Sequence, residues 1–481
     1  MSWDSFFHWV ELHLLVQLVV LTRILLREDR DPTVRTAWVV VVLAVPFLGA
    51  AVYLLFGEAR IARQARRRMR AAIATLPRLP ASPSPGPQPW RADPVHAAAV
   101  ARAAAVNGLQ PTGGNRLDLL PEAAGAIDRL VADIDRARND VHLSWYIWLD
   151  DETGARVADA VVRAARRGVI CRCLADGLGS RLFIASPHWR RMAEAGARLS
   201  VAFPFRFATF RNLRARIDIR HHRKMALIDG QIAYVGSQNC ADAAFRIKAA
   251  FAPWVDVMVR LTGPAVWQVQ YLFMCDWITH SGEGEAAVAL ERPAPPPAAE
   301  GQVAVAGTGP ELQPKAVTDL FQAVIATARH SLDITTPYYV PDMALHQSIL
   351  SAATRGARVR MILPARNDSA IVAHASRSFY LGLLLAGVEI LEYEGGFLHA
   401  KTLVADGDLM VVGSANMDRR SFDLNYECSL LVSDPRLAAD LERRRQDWIA
   451  RSRPVTLAAV RRWSSFRRIR NNFFVLFAPL L

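Results

Sequence analysis

The sequence predicts an α/β protein with two pseudo-twofold-related α/β domains behind an N-terminal transmembrane helical segment. Three observations predict it. The frame His-x-Lys-x4-Asp occurs twice, each copy followed by Gly-Ser-x-Asn, and one register shift relates the two (399 − 222 = 177). Around each copy, helix-like runs alternate with Val/Ile/Leu-rich strand-like runs, the pattern of a buried sheet with helical connections. Residues 37–56 carry no charge, over about the ~20 positions a helix needs to cross a bilayer.

Taken in chain order, residues 1–70 read as a membrane domain of one or two transmembrane helices with a basic flank. Ala37–Phe56 is expected to span, with Trp38 and Tyr53 as interfacial aromatics. Pro46 and Gly49 inside it are tolerated in a membrane helix. The earlier apolar stretch Phe6–Leu26 is interrupted by Glu11, His13, Gln17 and Arg23. It reads as a second span, with a helix lying in the interface as the alternative. The N-terminus has no basic leader, so a cleaved signal peptide is not expected. Arg60, Arg63, Arg66, Arg67, Arg68 and Arg70 follow the apolar region, which places the bulk of the chain on the cytoplasmic side. Residues 71–114 read as a Pro-rich linker. The two α/β domains are expected at 115–280 and 303–450, with a second linker at 281–302 between them. Residues 451–481 form a basic and apolar tail. It reads either as docked on the protein core or as a surface-active segment that sets aromatics among lipid headgroups.

Composition narrows the partners. There are 58 Lys+Arg against 45 Asp+Glu, a formal charge of +13, which favours anionic partners such as nucleic acid or an acidic membrane surface. A hydrophobic share of 52% points to the membrane. The five cysteines form no C-x-x-C pair and are expected as reduced thiols. No metal-ligand pattern appears, and neither a metal nor a cofactor is expected.

The duplicated frame carries the chemistry. Side chains alternate along a strand, so His222 and Lys224 share one face, and the same holds for His399 and Lys401. Asp229-Gly230 and Asp406-Gly407 are hairpin turn signals. The returning strands bring Ser237 with Asn239 and Ser414 with Asn416 onto the same face. Two ammonium groups with hydroxyl and amide donors suit a phosphodiester and its charged transition state. One imidazole can attack phosphorus and the other can serve as acid and then base; His222 is expected as nucleophile and His399 as acid/base. Each imidazole needs an orienting carboxylate. Asp256 and Glu427 occupy matching contexts, each eight residues before a Pro (264 − 256 and 435 − 427). The spacing does not say which acid serves which histidine. Asp229 and Asp406 lie at turns, where they are expected to brace the hairpin or the lysine.

These residues resemble the phospholipase D superfamily and, more narrowly, the bacterial cardiolipin synthases. The resemblance rests on RHHRKMALIDG (Arg220 to Gly230), TPYYVPD (Thr336 to Asp342), FLHAKTLVADG (Phe397 to Gly407) and GSANMDRRSFDLNYE (Gly413 to Glu427). It extends to the apolar N-terminus and the Pro-Leu-Leu end. It implies an enzyme that joins two phosphatidylglycerol molecules into cardiolipin and glycerol, without metal or nucleotide, at the inner face of a bacterial cell membrane. His222, Lys224, Asp229, His399, Lys401 and Asp406 would then be the active-site set. Phosphatidylglycerol and anionic membrane lipids are the expected partners, and nucleic acid is not. The alternatives are a hydrolase of phospholipids using water as acceptor and, third, a superfamily nuclease. An Arg and Phe run before the first motif (Phe205, Arg206, Phe207, Phe210, Arg211, Arg214, Arg216, Arg220) is expected to meet lipid headgroups.

Overall fold

The computed structural model describes residues 3–27, 32–45, 47–58, 63–76, 90, 93–204, 218–284, 290, 299–310 and 315–476. At the N-terminus, α1 (Trp3–Leu25) is, among the described residues, the one helix long and apolar enough to cross a membrane, over His8–Leu25. Leu14, Leu15 and Leu18 face outward, as lipid-facing side chains do.

The stretch 37–56 departs from expectation. It is not one straight span but two short helices, α2 (Pro32–Ala44) and α3 (Leu48–Phe56). The chain doubles back between them. Trp38 and Tyr53 meet with ring centroids 5.4 Å apart, whereas 15 residues of continuous helix would separate them by about 22 Å. Gly49 allows the close return, because a Cβ there would collide with the Val41 carbonyl. The tip reaches back along α1, with Phe47 against Trp9 and His13. At the other end, Glu58 bonds Arg23 at 2.7 and 3.0 Å, Arg27 at 3.2 Å and Tyr53 at 3.1 Å. The end of α3 therefore lies beside the end of α1. The predicted basic flank is the helix α4 (Arg63–Thr75), which packs on the α/β body through Met69, Ala72 and Leu76. The stretch 71–114, expected as a spacer, contains α5 (Ala97–Asn107). Its Ala99, Ala103 and Val106 pack into the core of the second half of the chain.

The first half runs β1 (Thr112–Leu119), α6 (Ala124–Arg136), β2 (Asp140–Trp145), α7 (Glu152–Arg166) and β3 (Ile170–Asp176). It continues through α8 (Arg181–Ile184), α9 (Pro187–Glu194), β4 (Arg198–Ala202), β5 (Met225–Ile228) and β6 (Ile232–Gly236). It closes with β7 (Trp254–Val255), β8 (Met258–Thr262) and α10 (Val266–Ser281).

The second half opens with β9 (Gly301–Thr308), α11 (Ala316–Thr327), β10 (Ser331–Thr335), β11 (Tyr339–Val340), α12 (Met343–Thr354) and β12 (Arg358–Pro364). Next come α13 (Ala370–Ser378), α14 (Tyr380–Leu385), β13 (Glu389–Tyr393), β14 (Phe397–Leu398), β15 (Thr402–Ala405) and β16 (Leu409–Gly413). It ends with β17 (Met417–Asp418), α15 (Arg419–Asp423), β18 (Glu427–Ser433), α16 (Pro435–Ala450), β19 (Ser452–Val455), α17 (Leu457–Arg461) and α18 (Ser465–Val475).

Fifteen of the strands form one sheet with a seam between β1 and β9, while β11 pairs with β17 and β14 with β7. From the seam outward, the first half reads β1-β8-β6-β5-β2-β3-β4 and the second β9-β18-β16-β15-β10-β12-β13, with β19 added at the edge. This matched order is the predicted pseudo-twofold repeat. In each half, the hairpin that carries His-x-Lys is antiparallel and the strands beyond it are parallel. Strands of both halves share the largest core cluster, with α10 and α16 packed into it. α10 is buried from Val266 to Thr279, as a helix apolar on nearly every side must be.

Candidate active site

Both hairpins turn as the sequence predicts. Asp229 and Gly230 have φ of 51° and 59°, and Asp406 and Gly407 have 51° and 70°. Two successive positive φ values make the turn that suits the twist of paired strands. The turn carboxylates do not reach the cavity. Asp229 accepts from the backbone N–H groups of Arg138, Asn139 and Asp140 at the start of β2. Asp406 accepts from those of Arg329, His330 and Ser331 at the start of β10. Burial raises the Asp406 pKa, but these three donors outweigh it and hold the carboxyl below its ordinary range. Both aspartates thus tie the hairpin tip to the neighbouring strand, the bracing role the turns suggested. Asp229→Ala is expected to lower stability by about 2 kcal/mol or more, from lost acceptors and a non-Gly, non-Asp residue at positive φ. A urea titration measures this, and the folded fraction should keep its KM.

The imidazoles come together. His222 and His399 line one cavity of about 470 Å³, a size suited to a small ligand or lipid headgroup. Asn239 and Asn416 line it too. The carboxylates are exchanged between halves. His222 Nδ1 lies 2.8 and 2.9 Å from the Glu427 oxygens. His399 Nδ1 lies 2.6 Å from Asp256 Oδ1. Backbone bonds enforce the crossing: the His222 N–H donates to Tyr426 O at 2.9 Å and the His399 N–H to Val255 O at 2.7 Å. Each of those carbonyls belongs to the residue just before the acid. A short parallel pair, β14 with β7, adds to the second crossing.

The remaining motif residues stand behind this layer. Ser237 Oγ donates to Asp256 at 2.5 Å and Ser414 Oγ to Glu427 at 2.5 Å. Both hydroxyls therefore fix the acids, and neither lines the cavity. Lys224 and Lys401 are buried and donate to the carbonyls of their own histidines, at 2.6 and 2.5 Å. They too lie outside the cavity wall. Lys224 also sits 5.2 Å from the centre of the Tyr146 ring.

Electrostatics favour neutral imidazoles before substrate arrives. Burial pushes His222 down to about 3 and His399 to about 4, with Glu427 and Asp256 opposing and the lysines assisting. Burial works against the Asp256 carboxylate, but His399 and Lys401 bring its pKa down to about 2. Glu427 is likewise held below its ordinary range by His222 and Lys224 against the effect of burial. Each carboxylate thus accepts Nδ1–H, which leaves Nε2 with a lone pair. Burial pushes Lys401 down to about 7 and Lys224 well below the usual lysine range.

Several cavity residues were not expected from the motifs. Tyr146 packs edge-on against His222 at 4.7 Å, and Trp254 lies tilted against His399 at 4.6 Å. Tyr338 and Asp418 also line the wall, and burial raises Asp418 to about 6. Tyr146 and Tyr338 follow the equivalent strands β2 and β10, and that duplication was a readable signal. Of the Arg and Phe run before the first motif, Arg220 lines the cavity; Phe205, Arg206, Phe207, Phe210, Arg211, Arg214 and Arg216 lie outside the described residues. So does the Pro-Leu-Leu end. Among the described residues, no group of three His, Cys, Asp or Glu side chains is placed to hold a metal ion.

The family described as "Cardiolipin synthase, PLD-like domain" matches residues 130–256 and 321–448, the two halves that meet at this cavity. The chain belongs to the bacterial cardiolipin synthases of the phospholipase D superfamily. A second family, "Phospholipase_D-nuclease N-terminal", matches residues 15–58 of the synthase. The synthase is 34% identical over 500 aligned positions to "Cardiolipin synthase A" of Yersinia pseudotuberculosis serotype O:1b, covering 100% of this chain and 98% of that one. The relative of the same name from Yersinia pestis gives the same values. Among solved structures, the phosphatidylserine synthase of Haemophilus influenzae Rd KW20 shares the fold. Its TM-score is 0.59 at 13% identity, over 76% of this chain and 95% of that one. The synthase is therefore a membrane-associated phosphatidyltransferase that acts on phospholipid.

Proposed function

We propose that the synthase moves a phosphatidyl group from one phosphatidylglycerol to a hydroxyl of a second, giving cardiolipin and glycerol. The observation that carries this is the pair of carboxylate-backed imidazoles facing one cavity. His222 Nε2 attacks phosphorus, and the bond from phosphorus to the glycerol oxygen breaks. His399 gives its proton to that oxygen, and glycerol leaves. The acceptor hydroxyl then surrenders its proton to His399 and attacks phosphorus, and the bond to His222 breaks. His399 must first be protonated, and an anionic phosphodiester beside it favours that form. Lys224 and Lys401 supply positive potential, and Asn239 and Asn416 supply amide donors at the wall. The arginines after the membrane segment support an orientation with both halves on the cytoplasmic side of the inner membrane.

The test is product analysis by mass spectrometry, with phosphatidylglycerol as sole lipid. Cardiolipin and glycerol in equal amounts are expected; phosphatidic acid as the main product would instead make this a hydrolase. The pH profile adds a second test. A lysine at about 7 loses its charge as pH rises through that value, so KM for an anionic lipid should rise above about pH 7. The low-pH limb should lie well below the ordinary histidine range, because the free imidazoles resist protonation.

A further inference from the structure

Helix α18, near the C-terminus, turns an exposed apolar surface outward. In α18 and at its C-cap, Phe466, Ile469, Phe473 and Leu476 are 73, 67, 52 and 70% exposed. Their spacing of three, seven and ten residues puts them on one stripe of the helix. The opposite side holds the helix in place. Asn471 is buried and bonds His374 of α13 at 3.2 Å. Phe474 stacks on that same imidazole with ring centroids 5.4 Å apart. The helix is thus fastened with its larger apolar face turned away from the protein.

Charge says what covers that face. From Thr456 to Leu476 there is no acidic residue, while Arg461, Arg462, Arg467, Arg468 and Arg470 all fall there. Arg467 lies 4.0 Å over the Trp463 ring and Arg470 lies 6.0 Å from that of Phe466. An apolar stripe set among arginines and aromatics matches an anionic lipid surface, in which apolar side chains enter the acyl boundary and guanidinium groups meet headgroups. The position fits as well. Phe474 and Val475 share a small cluster with Val340, Val372, Ala375 and Tyr338, and Tyr338 lines the catalytic cavity. Its hydroxyl bonds Asp368, also in that wall, at 2.6 Å.

We propose that α18 seats the Phe466–Ile469–Phe473–Leu476 stripe in an anionic bilayer surface and so holds the edge of the catalytic cavity at the membrane. The seating stands on the helix alone; its purpose rests on the lipid substrate proposed above. The five native cysteines are buried, so a single introduced thiol can carry a spin label. The full chain is reconstituted into phosphatidylcholine vesicles containing one part in three, roughly, of phosphatidylserine. A label at Ile469→Cys should be accessible to oxygen and shielded from a water-soluble nickel complex, and one at Arg468→Cys should show the reverse. Equal exposure of both to nickel would overturn the proposal. So would spin–spin broadening at Ile469→Cys, which would mean that a second copy covers the stripe. In a separate measurement, Ile469→Ser combined with Phe473→Ser should cut turnover of bilayer lipid about tenfold. Turnover of a short-chain phosphatidylglycerol dissolved as monomers should be unchanged. An equal loss on both substrates would contradict the docking role. If the unaltered protein turns over neither lipid, the reaction is wrong, and the labels still report the seating.

Discussion

His222→Ala is expected to form no covalent phosphoenzyme and to lose at least about a thousandfold in turnover, since in the proposed mechanism His222 is the nucleophile. His399→Ala should lose as much on phosphatidylglycerol, whose departing glycerol alkoxide needs a proton. The two variants part on an aryl phosphodiester. Its leaving group departs without a proton, so His399→Ala should still phosphorylate His222 and then stall. A detergent quench at mildly alkaline pH, which spares the acid-labile phosphorus–nitrogen bond, followed by peptide mass spectrometry reads the adduct directly. Phosphate on His399 in the His222→Ala protein would reverse the assignment of roles. The prediction rests on both Nδ1 atoms being occupied by carboxylates, which leaves each Nε2 as the reactive nitrogen.

The second large effect follows from the crossing of the acids. Glu427→Gln keeps the shape but removes the charge that holds His222 with its lone pair toward the cavity, so it should behave like His222→Ala, with adduct formation down at least about a hundredfold. Asp256→Asn should behave like His399→Ala: poor on phosphatidylglycerol and largely rescued by the aryl leaving group. A pairing within each half would give the opposite assignment. The single measurement is adduct formation in both variants on both substrates. If Glu427→Gln labels normally with the aryl ester, the geometry of the His222 bond does not govern the chemistry.

Much of this was legible in the sequence because it is local. Period-two alternation sets His222 beside Lys224, and the Asp-Gly dipeptides fix both turns, so each hairpin could be written down before any coordinates. The duplication also foretold two related halves, though not their strand order. What could not be read is what depends on distant approach. Glu427 lies 205 residues from His222, and only the docking of two halves reveals that they meet. Ser237 and Ser414 have the same limit, since a hydroxyl on the correct face can serve a substrate or a neighbouring acid. The membrane segment failed for a different reason. An apolar run reads alike whether straight or folded, and Gly49 and Pro46, both accepted in a spanning helix, gave no warning. The close approach of Gly49 to Val41 shows the bend.

That bend bears on which side of a membrane the start of α1 would lie. If 37–56 crossed the bilayer after α1 had done so, both ends of the polypeptide would share a compartment. If α1 is the segment that crosses, α2 and α3, whose far end returns beside the end of α1, would leave it the single crossing. The start of α1 and the catalytic body would then face different aqueous spaces. A tag attached ahead of Trp3 would report the far side of the membrane, out of reach of a protease that digests the body.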